Sequence, residues 1–169
     1  MNTIPGDESK FVFRPIGTIR SPYQDLVGMP IQPAGARGVQ GTIEIQEEYR
    51  EGLLDIEQFS HIILIYALHR CRGYNLLVTP FLDTRQHGIF ATRAPKRPNP
   101  IGISIVKLVR VDGTRIHIED VDVLDGTPLL DIKPYIPVFD AYPDATPGWF
   151  SGCEGRVATV RSDHRFQKE

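Results

Sequence analysis

Apolar and polar positions alternate with a period of two in several short stretches of this chain. Val39 to Ile45 sets Val39, Gly41, Ile43 and Ile45 against Gln40, Thr42 and Glu44, the pattern of a half-buried strand. Phe11 to Arg20 predicts a first strand, with Pro15 marking an edge or a bulge. Ser60 to Leu68 (SHIILIYAL) is almost wholly apolar and predicts a central strand buried on both faces. Leu76 to Leu82 is a further short strand, interrupted by Pro80, and Glu47 to Leu54 is a short helical candidate. Ile101 to Arg110 and Arg115 to Ile118 form the clearest hairpin, turning at Asp112-Gly113, where both residue types tolerate positive φ. Val121 to Leu124 predicts another strand, ending at the Asp125-Gly126 turn, and Arg156 to Arg161 a last one.

Ser21 to Gly38 holds three Pro and three Gly and predicts a long irregular loop, of the kind that tends to carry function. Many short strands, frequent turn signals and little helix predict a mainly β fold: a single small antiparallel β-barrel with short helical insertions. Residues 1–10 are expected to form a flexible N-terminus, 11–142 the barrel domain and 143–169 a C-terminal extension.

Composition changes this picture little. With 169 residues, 41% of them hydrophobic and 24% charged, the chain can bury a real core. The longest apolar run, Ile62 to Leu68, is too short to cross a bilayer. The N-terminus lacks the basic-then-apolar order of a signal peptide, so no membrane association is expected and a cytoplasmic location is. Cys71 and Cys153 show no metal-ligand spacing, and neither a metal nor a disulfide is expected.

Charge matters more. The net charge is −2, yet Arg70, Arg72, Arg85, Arg93, Lys96 and Arg97 face a single acid, Asp83, within one stretch. Acids dominate from Glu119 to Asp144, where Lys133 is the lone base. Charge separated in this way offers phosphates a local basic surface on an acidic protein; a solvated charged face is the plainer reading. Arg93 to Gly102 (RAPKRPNPIG) carries Pro95, Pro98 and Pro100, which stiffen it and hold its cations at set positions. Asp125 to Pro128 with Asp131 to Tyr135 predicts a second stiff loop, acidic this time, so the two together suit a ligand bearing both a cation and an anion. His61 is expected to be structural, whereas His69 ends the apolar strand where it opens into a loop, a common place for active-site groups. No dinucleotide, P-loop or hydrolase-elbow motif occurs.

The phrase GIFATRAPKRPNPIGIS (Gly88 to Ser104), followed by DGTPLLDIKPY (Asp125 to Tyr135), resembles the TsaA-like family, also called TrmO or YaeB. FSHIILIYALHR (Phe59 to Arg70) and MPIQP (Met29 to Pro33) are similar to the family's strand ending in His and to its early loop, and the likeness runs from about Phe11 to Tyr142. The resemblance implies a non-Rossmann β-barrel methyltransferase. It would take S-adenosylmethionine as cofactor and methylate N6 of threonylcarbamoyladenosine beside the anticodon of a tRNA, working as a homodimer with the cofactor near the subunit interface. It also implies a cofactor pocket of Pro30, Ile31, Gln32, His69, Arg70, Arg93, Ile103, Asp125, Gly126, Thr127 and Pro128. Many members carry Arg where this chain has Ile31.

Methyl transfer is an in-line displacement on carbon, so most of the catalysis can come from alignment and desolvation. A urea-like N6 also needs help in losing its proton, for which Asp125 and Asp131 are the candidate acceptors. Arg85, Lys96, Arg97 and Asn99 are the candidate tRNA contacts. The rival readings are an RNA- or nucleotide-binding barrel without transfer activity, a methyltransferase of another substrate, and a purely structural barrel.

Overall fold

The computed structural model describes residues 11–166, so the segment expected to be flexible, 1–10, lies outside the described residues. The strands are β1 (Gly17–Arg20), β2 (Gln40–Ile45), β3 (His61–Ala67), β4 (Leu77–Val78), β5 (His87–Gly88), β6 (Ile101–Asp112), β7 (Arg115–Glu119) and β8 (Thr127–Pro134), followed by one helical turn, α1 (Pro137–Asp140). Six of them close a barrel in the order β1-β2-β7-β6-β3-β8, with every pairing antiparallel. The expected mainly β barrel is therefore the fold found. β4 and β5 form a separate two-stranded ribbon within the long excursion between β3 and β6.

The inward positions fill the barrel. Ile19, Ile43, Ile62, Leu64, Ile116 and Leu129 are fully buried there. Each such side chain contributes about 1.5–3 kcal/mol on leaving water, against about 0–1 kcal/mol for the surface ion pairs around them. The period-two pattern is thus the main determinant of register.

Several local expectations differ from the structure. The first strand is only Gly17–Arg20, because exposed Phe11 to Pro15 meets no partner strand. β3 alternates buried and part-buried positions rather than being buried on both faces, since a barrel strand has one inside and one outside. The stretch Asp125 to Tyr135 is mostly a barrel strand, not a stiff loop, and Pro128 and Pro134 sit near its ends. Val121 to Leu124 forms no strand; Val121, Val123 and Leu124 bury their side chains from a loop instead. The hairpin pairs Asp112 with Arg115, so the turn is Gly113-Thr114, one residue later than expected, with Gly113 at φ +61°. Glu47–Leu53 is a 3-10 helix, the Leu76 to Leu82 strand shrinks to β4, and Arg156 to Arg161 is turn-like apart from one bridge from Arg161 to Pro30.

That bridge is one of several contacts between the C-terminal segment and earlier loops. Ser162 accepts from the Gly28 N–H, donates its own N–H to Met29 and its hydroxyl to the Leu26 carbonyl, at 2.6–2.9 Å. The long loop after β1 is therefore sealed by the end of the chain. Trp149 does the same for the basic excursion: it donates to the Ala91 carbonyl at 2.6 Å and stacks on His87, with ring centroids 4.6 Å apart. His87 in turn bonds Asp83 at 2.9 Å, and this bond foremost holds the Asp83 carboxyl down at about 2.

Candidate active site

Three segments distant in sequence meet at one end of β3 and β6. Ser104 is the hydroxyl in the inward row of Ile101 to Val106, and it is buried. Its Oγ donates to Asp122 Oδ1 at 2.6 Å, which leaves Tyr66 to donate its hydroxyl to Ser104 Oγ at 2.9 Å. Tyr66 reaches this position because Gly102, opposite it in the β3–β6 ladder, has no side chain; a Cβ there would run into the Tyr66 ring. Asp122 is part-exposed as a residue, but its carboxyl is enclosed. Burial pushes that carboxyl up to about 6, against the pull of the Ser104 hydrogen bond and the nearby Arg93 guanidinium. Burial also raises the Tyr66 phenol, assisted by the Asp122 charge.

Arg93 ties two loops together by donating Nη1 to Gln32 Oε1 at 3.0 Å. Asp125 accepts the Ser21 N–H at 3.1 Å and lies 4.0 Å from Arg20, while its own N–H bonds the Tyr23 carbonyl. The structure thus brings Gln32, Arg93, Ser104, Tyr66 and Asp122 into one group, with the Asp125-Gly126 turn three residues along the same loop. A guanidinium near an enclosed carboxylate, without a direct ion pair between them, fits a ligand carrying both charges, as a sulfonium amino acid does.

The other expected site residues lie outside this group, several of them on the segments that flank it. Pro30 is buried at its bridge to Arg161, and Ile31 is part-buried beside it. His69 and Arg70 are exposed just past β3, where the Leu68 N–H donates to the Pro100 carbonyl. Ile103, 51% exposed, faces outward from the barrel, opposite to Ser104, because strand neighbours alternate. Gly126, at φ +75°, takes the turn into β8, while Thr127 and Pro128 are already its first residues. Asp131 pairs with Lys133 at 2.8 Å on β8 and bonds the Ile132 N–H.

The basic loop also departs from expectation. Lys96 is buried at 8% exposure, and Arg97 donates Nη1 to the carbonyls of Ile89 and Thr92 at 3.1 and 2.8 Å. Arg97 thereby braces its loop and Lys96 is buried, so neither stands as the fully exposed surface cation that the sequence predicts. Arg85 is exposed, with Asp83 at 3.8 Å, and Asn99 is exposed, its carbonyl taking the Ile101 N–H. Among the described residues no group of three His, Cys, Asp or Glu is placed to hold a metal ion, and no helix is long and apolar enough to cross a membrane.

Asp122 was missed by reading it inside a strand. Two signals pointed to it: a carboxylate set between the apolar Val121 and Val123, and a lone hydroxyl, Ser104, among the isoleucines of β6.

Residues 18–141 match the tRNA-methyltransferase O N-terminal domain. A probable S-adenosyl-L-methionine-binding protein of Pyrococcus abyssi is 52% identical over 154 residues, covering 91% of this chain and 84% of that one. The tRNA (adenine(37)-N6)-methyltransferase of Escherichia coli is 35% identical over 171 residues, covering 95% of this chain and 73% of that one. The crystal structure of TrmO from Pseudomonas aeruginosa superposes with a TM-score of 0.70 at 38% identity over 83% of this chain, which spans only 62% of that structure. The chain belongs to the tRNA-methyltransferase O N-terminal domain family.

Proposed function

We propose that this protein is an S-adenosylmethionine-dependent methyltransferase that acts on N6 of adenosine 37 in tRNA, with threonylcarbamoyladenosine as the acceptor nucleoside. Family membership and the relatives named for binding this cofactor and for methylating tRNA support the reaction class. The single observation that carries the chemistry is the enclosed Asp122 carboxyl held by Ser104 beside Arg93.

When bound, the cofactor supplies an electrophilic methyl group on a positive sulfur. Pro30, Ile31, Gln32, Arg93 and the Asp125 to Pro128 segment would hold it, with the Arg93 guanidinium set against its carboxylate. Asp122 is the proposed acceptor of the N6 proton. With its carboxyl raised to about 6, it is ionised at neutral pH and more basic than an ordinary aspartate. Asp125 and Asp131 each already face a cation, Arg20 at 4.0 Å and Lys133 at 2.8 Å. Ser104 and Tyr66 orient the carboxylate and shut water from behind it.

The protein is further proposed to work as a homodimer in the cytoplasm, where its tRNA substrate is. The outward side chains of β3 and β6, Ile63, Ile65, Ile101, Ile103 and Ile105, form a contiguous apolar strip, and the last three are 40–51% exposed. Pairing through this strip would bring Ile103, and with it His69 and Arg70, toward the cofactor from the subunit boundary.

The test is incubation with labelled cofactor and with tRNA that carries or lacks threonylcarbamoyladenosine, followed by nucleoside mass spectrometry. A methyl group on N6 of the modified adenosine is the expected product. Binding of tRNA without incorporation would leave an RNA-binding barrel, and cofactor binding with unchanged tRNA would move the acceptor to another class of molecule.

A further inference from the structure

A row of side chains crosses the outer face of four neighbouring strands on the other side of the Asp125-Gly126 turn. Arg20 on β1 pairs with Thr42 on β2, Thr42 with His117 on β7, and His117 with Arg110 on β6. No two of these residues are close in sequence apart from the two ends of one hairpin. Three interstrand steps of about 4.8 Å make the row roughly 14 Å long.

Arg110 stands in the row because of a β-bulge. The β6–β7 register is regular at Lys107↔Glu119 and Leu108↔Ile118, then slips so that Arg110, not Val109, faces His117. An extra residue on one strand re-aims the side chain that follows it, and here it replaces a valine with a guanidinium. The four residues line a groove of about 430 Å³ that also touches Ser21 and Gln40 and has no carboxylate among its lining residues. His117 forms part of its floor, and its Nε2 is buried with no hydrogen-bond partner among the described residues. Carboxylates stand at its rim: Glu44 holds both Arg20 and Arg115, Asp125 lies 4.0 Å from Arg20, Glu119 holds Lys107 and Asp112 lies 3.7 Å from Arg110. A phosphate at either guanidinium thus takes the place of an exposed ion pair, which is weak in water.

We infer that this groove binds the phosphodiester backbone of the tRNA, entering at Arg20 beside the proposed cofactor turn and leaving at Arg110. The inference rests on the proposed tRNA reaction and assigns that substrate a second footing. It also offers guanidinium groups at the surface where Lys96 and Arg97 do not, since Lys96 is buried and Arg97 donates to the Ile89 and Thr92 carbonyls. Two guanidinium groups at the two ends of the row suit oxyanions, and the sequence-independent geometry suits backbone rather than bases.

Full-length protein is titrated with a tRNA transcript over a range of salt concentrations, as wild type, Arg110→Glu, the milder Arg110→Gln, and His117→Gln. S-adenosylmethionine affinity and melting temperature serve as fold controls, and ATP and inorganic tripolyphosphate stand in for a free phosphate ligand. The expected result is a loss of tRNA affinity of about tenfold in Arg110→Glu, with the salt slope falling by about one and cofactor affinity unchanged. Unchanged tRNA affinity and slope in every variant that still binds cofactor would overturn the groove and leave the proposed reaction intact. Wild-type protein that fails to bind tRNA at all would overturn both. Sensitivity of tripolyphosphate or ATP binding to these variants, with tRNA affinity unmoved, would assign the groove to a small phosphate ligand and overturn the backbone reading.

Discussion

Ser104 donates a 2.6 Å hydrogen bond to Asp122 across 18 residues of sequence, and it joins the inside of the barrel to the loop that leads into β8. The folded-state carboxyl lies at about 6, above the ordinary 3.8, because burial disfavours its charged form. The folded protein therefore keeps a proton that the unfolded chain releases first. Stability falls as pH rises from about 4 to about 6, and Asp122→Asn escapes that loss. The expected outcome is a melting temperature for Asp122→Asn that equals wild type near pH 4, exceeds it by pH 6, and keeps a constant margin above pH 7. The same variant is expected to lose about 10²–10⁴-fold in methyl transfer, while wild-type kcat/KM rises through an apparent pKa near 6. A full rate in Asp122→Asn would remove the residue from this role.

Gly102 is expected to be intolerant for a related reason. An alanine Cβ would lie 2.6 Å from Tyr66 Cζ, so the ring must leave its place and surrender its bond to Ser104. Such overpacking costs about 1–3 kcal/mol, and thermal melting of Gly102→Ala reads it directly. Tyr66→Phe keeps the ring and removes the donor. It is expected to melt close to wild type but to displace the acid limb of the pH–rate profile.

The barrel was legible because period-two patterning and turn residues are local, and β2, the hairpin and the family phrase from Gly88 to Ser104 all stand in contiguous sequence. The site was less so. Asp122 acquires its character from Ser104 and Tyr66, partners that only strand register supplies. Lys96 and Arg97 look like surface cations in a polar loop, yet Lys96 is buried and Arg97 folds back onto the Ile89 and Thr92 carbonyls, contacts that only the loop's path supplies. The Arg20–Thr42–His117–Arg110 row depends on a one-residue bulge that no pattern along the chain marks. An apolar run such as Ile62 to Leu68 also cannot tell a strand buried on both sides from one whose outer face awaits a partner.

That outer face yields a prediction about assembly. Ile103 and Ile105 stand 51% and 41% exposed beside Ile101, an apolar patch on the outer sheet surface bordered by Lys107, Asp131 and Lys133. Wild-type protein is expected to sediment as a dimer, and Ile103→Asp as a monomer whose barrel still melts cooperatively. A wild-type monomer at micromolar concentration would sink the proposed interface.

Arg85 and Arg97 separate two roles that a basic stretch confounds. Arg97 is part-buried, donates to two carbonyls and lies 5.9 Å from the Phe90 ring centroid, so its work is structural. Arg97→Ala leaves the Ile89 and Thr92 carbonyls without this donor and is expected to cost about 1–3 kcal/mol of stability. Its effect on tRNA affinity should vanish once the loop is folded, at low temperature. Arg85 is exposed and, apart from Asp83 at 3.8 Å, points its charge to solvent. Arg85→Glu is expected to leave melting unchanged within about 0.5 kcal/mol while weakening tRNA binding and lowering its salt slope. Melting curves and salt-dependent tRNA titrations on both variants decide the matter. If Arg97→Ala weakened binding with its stability intact, the loop would be a phosphate contact after all, and the bracing role assigned to its guanidinium would be wrong.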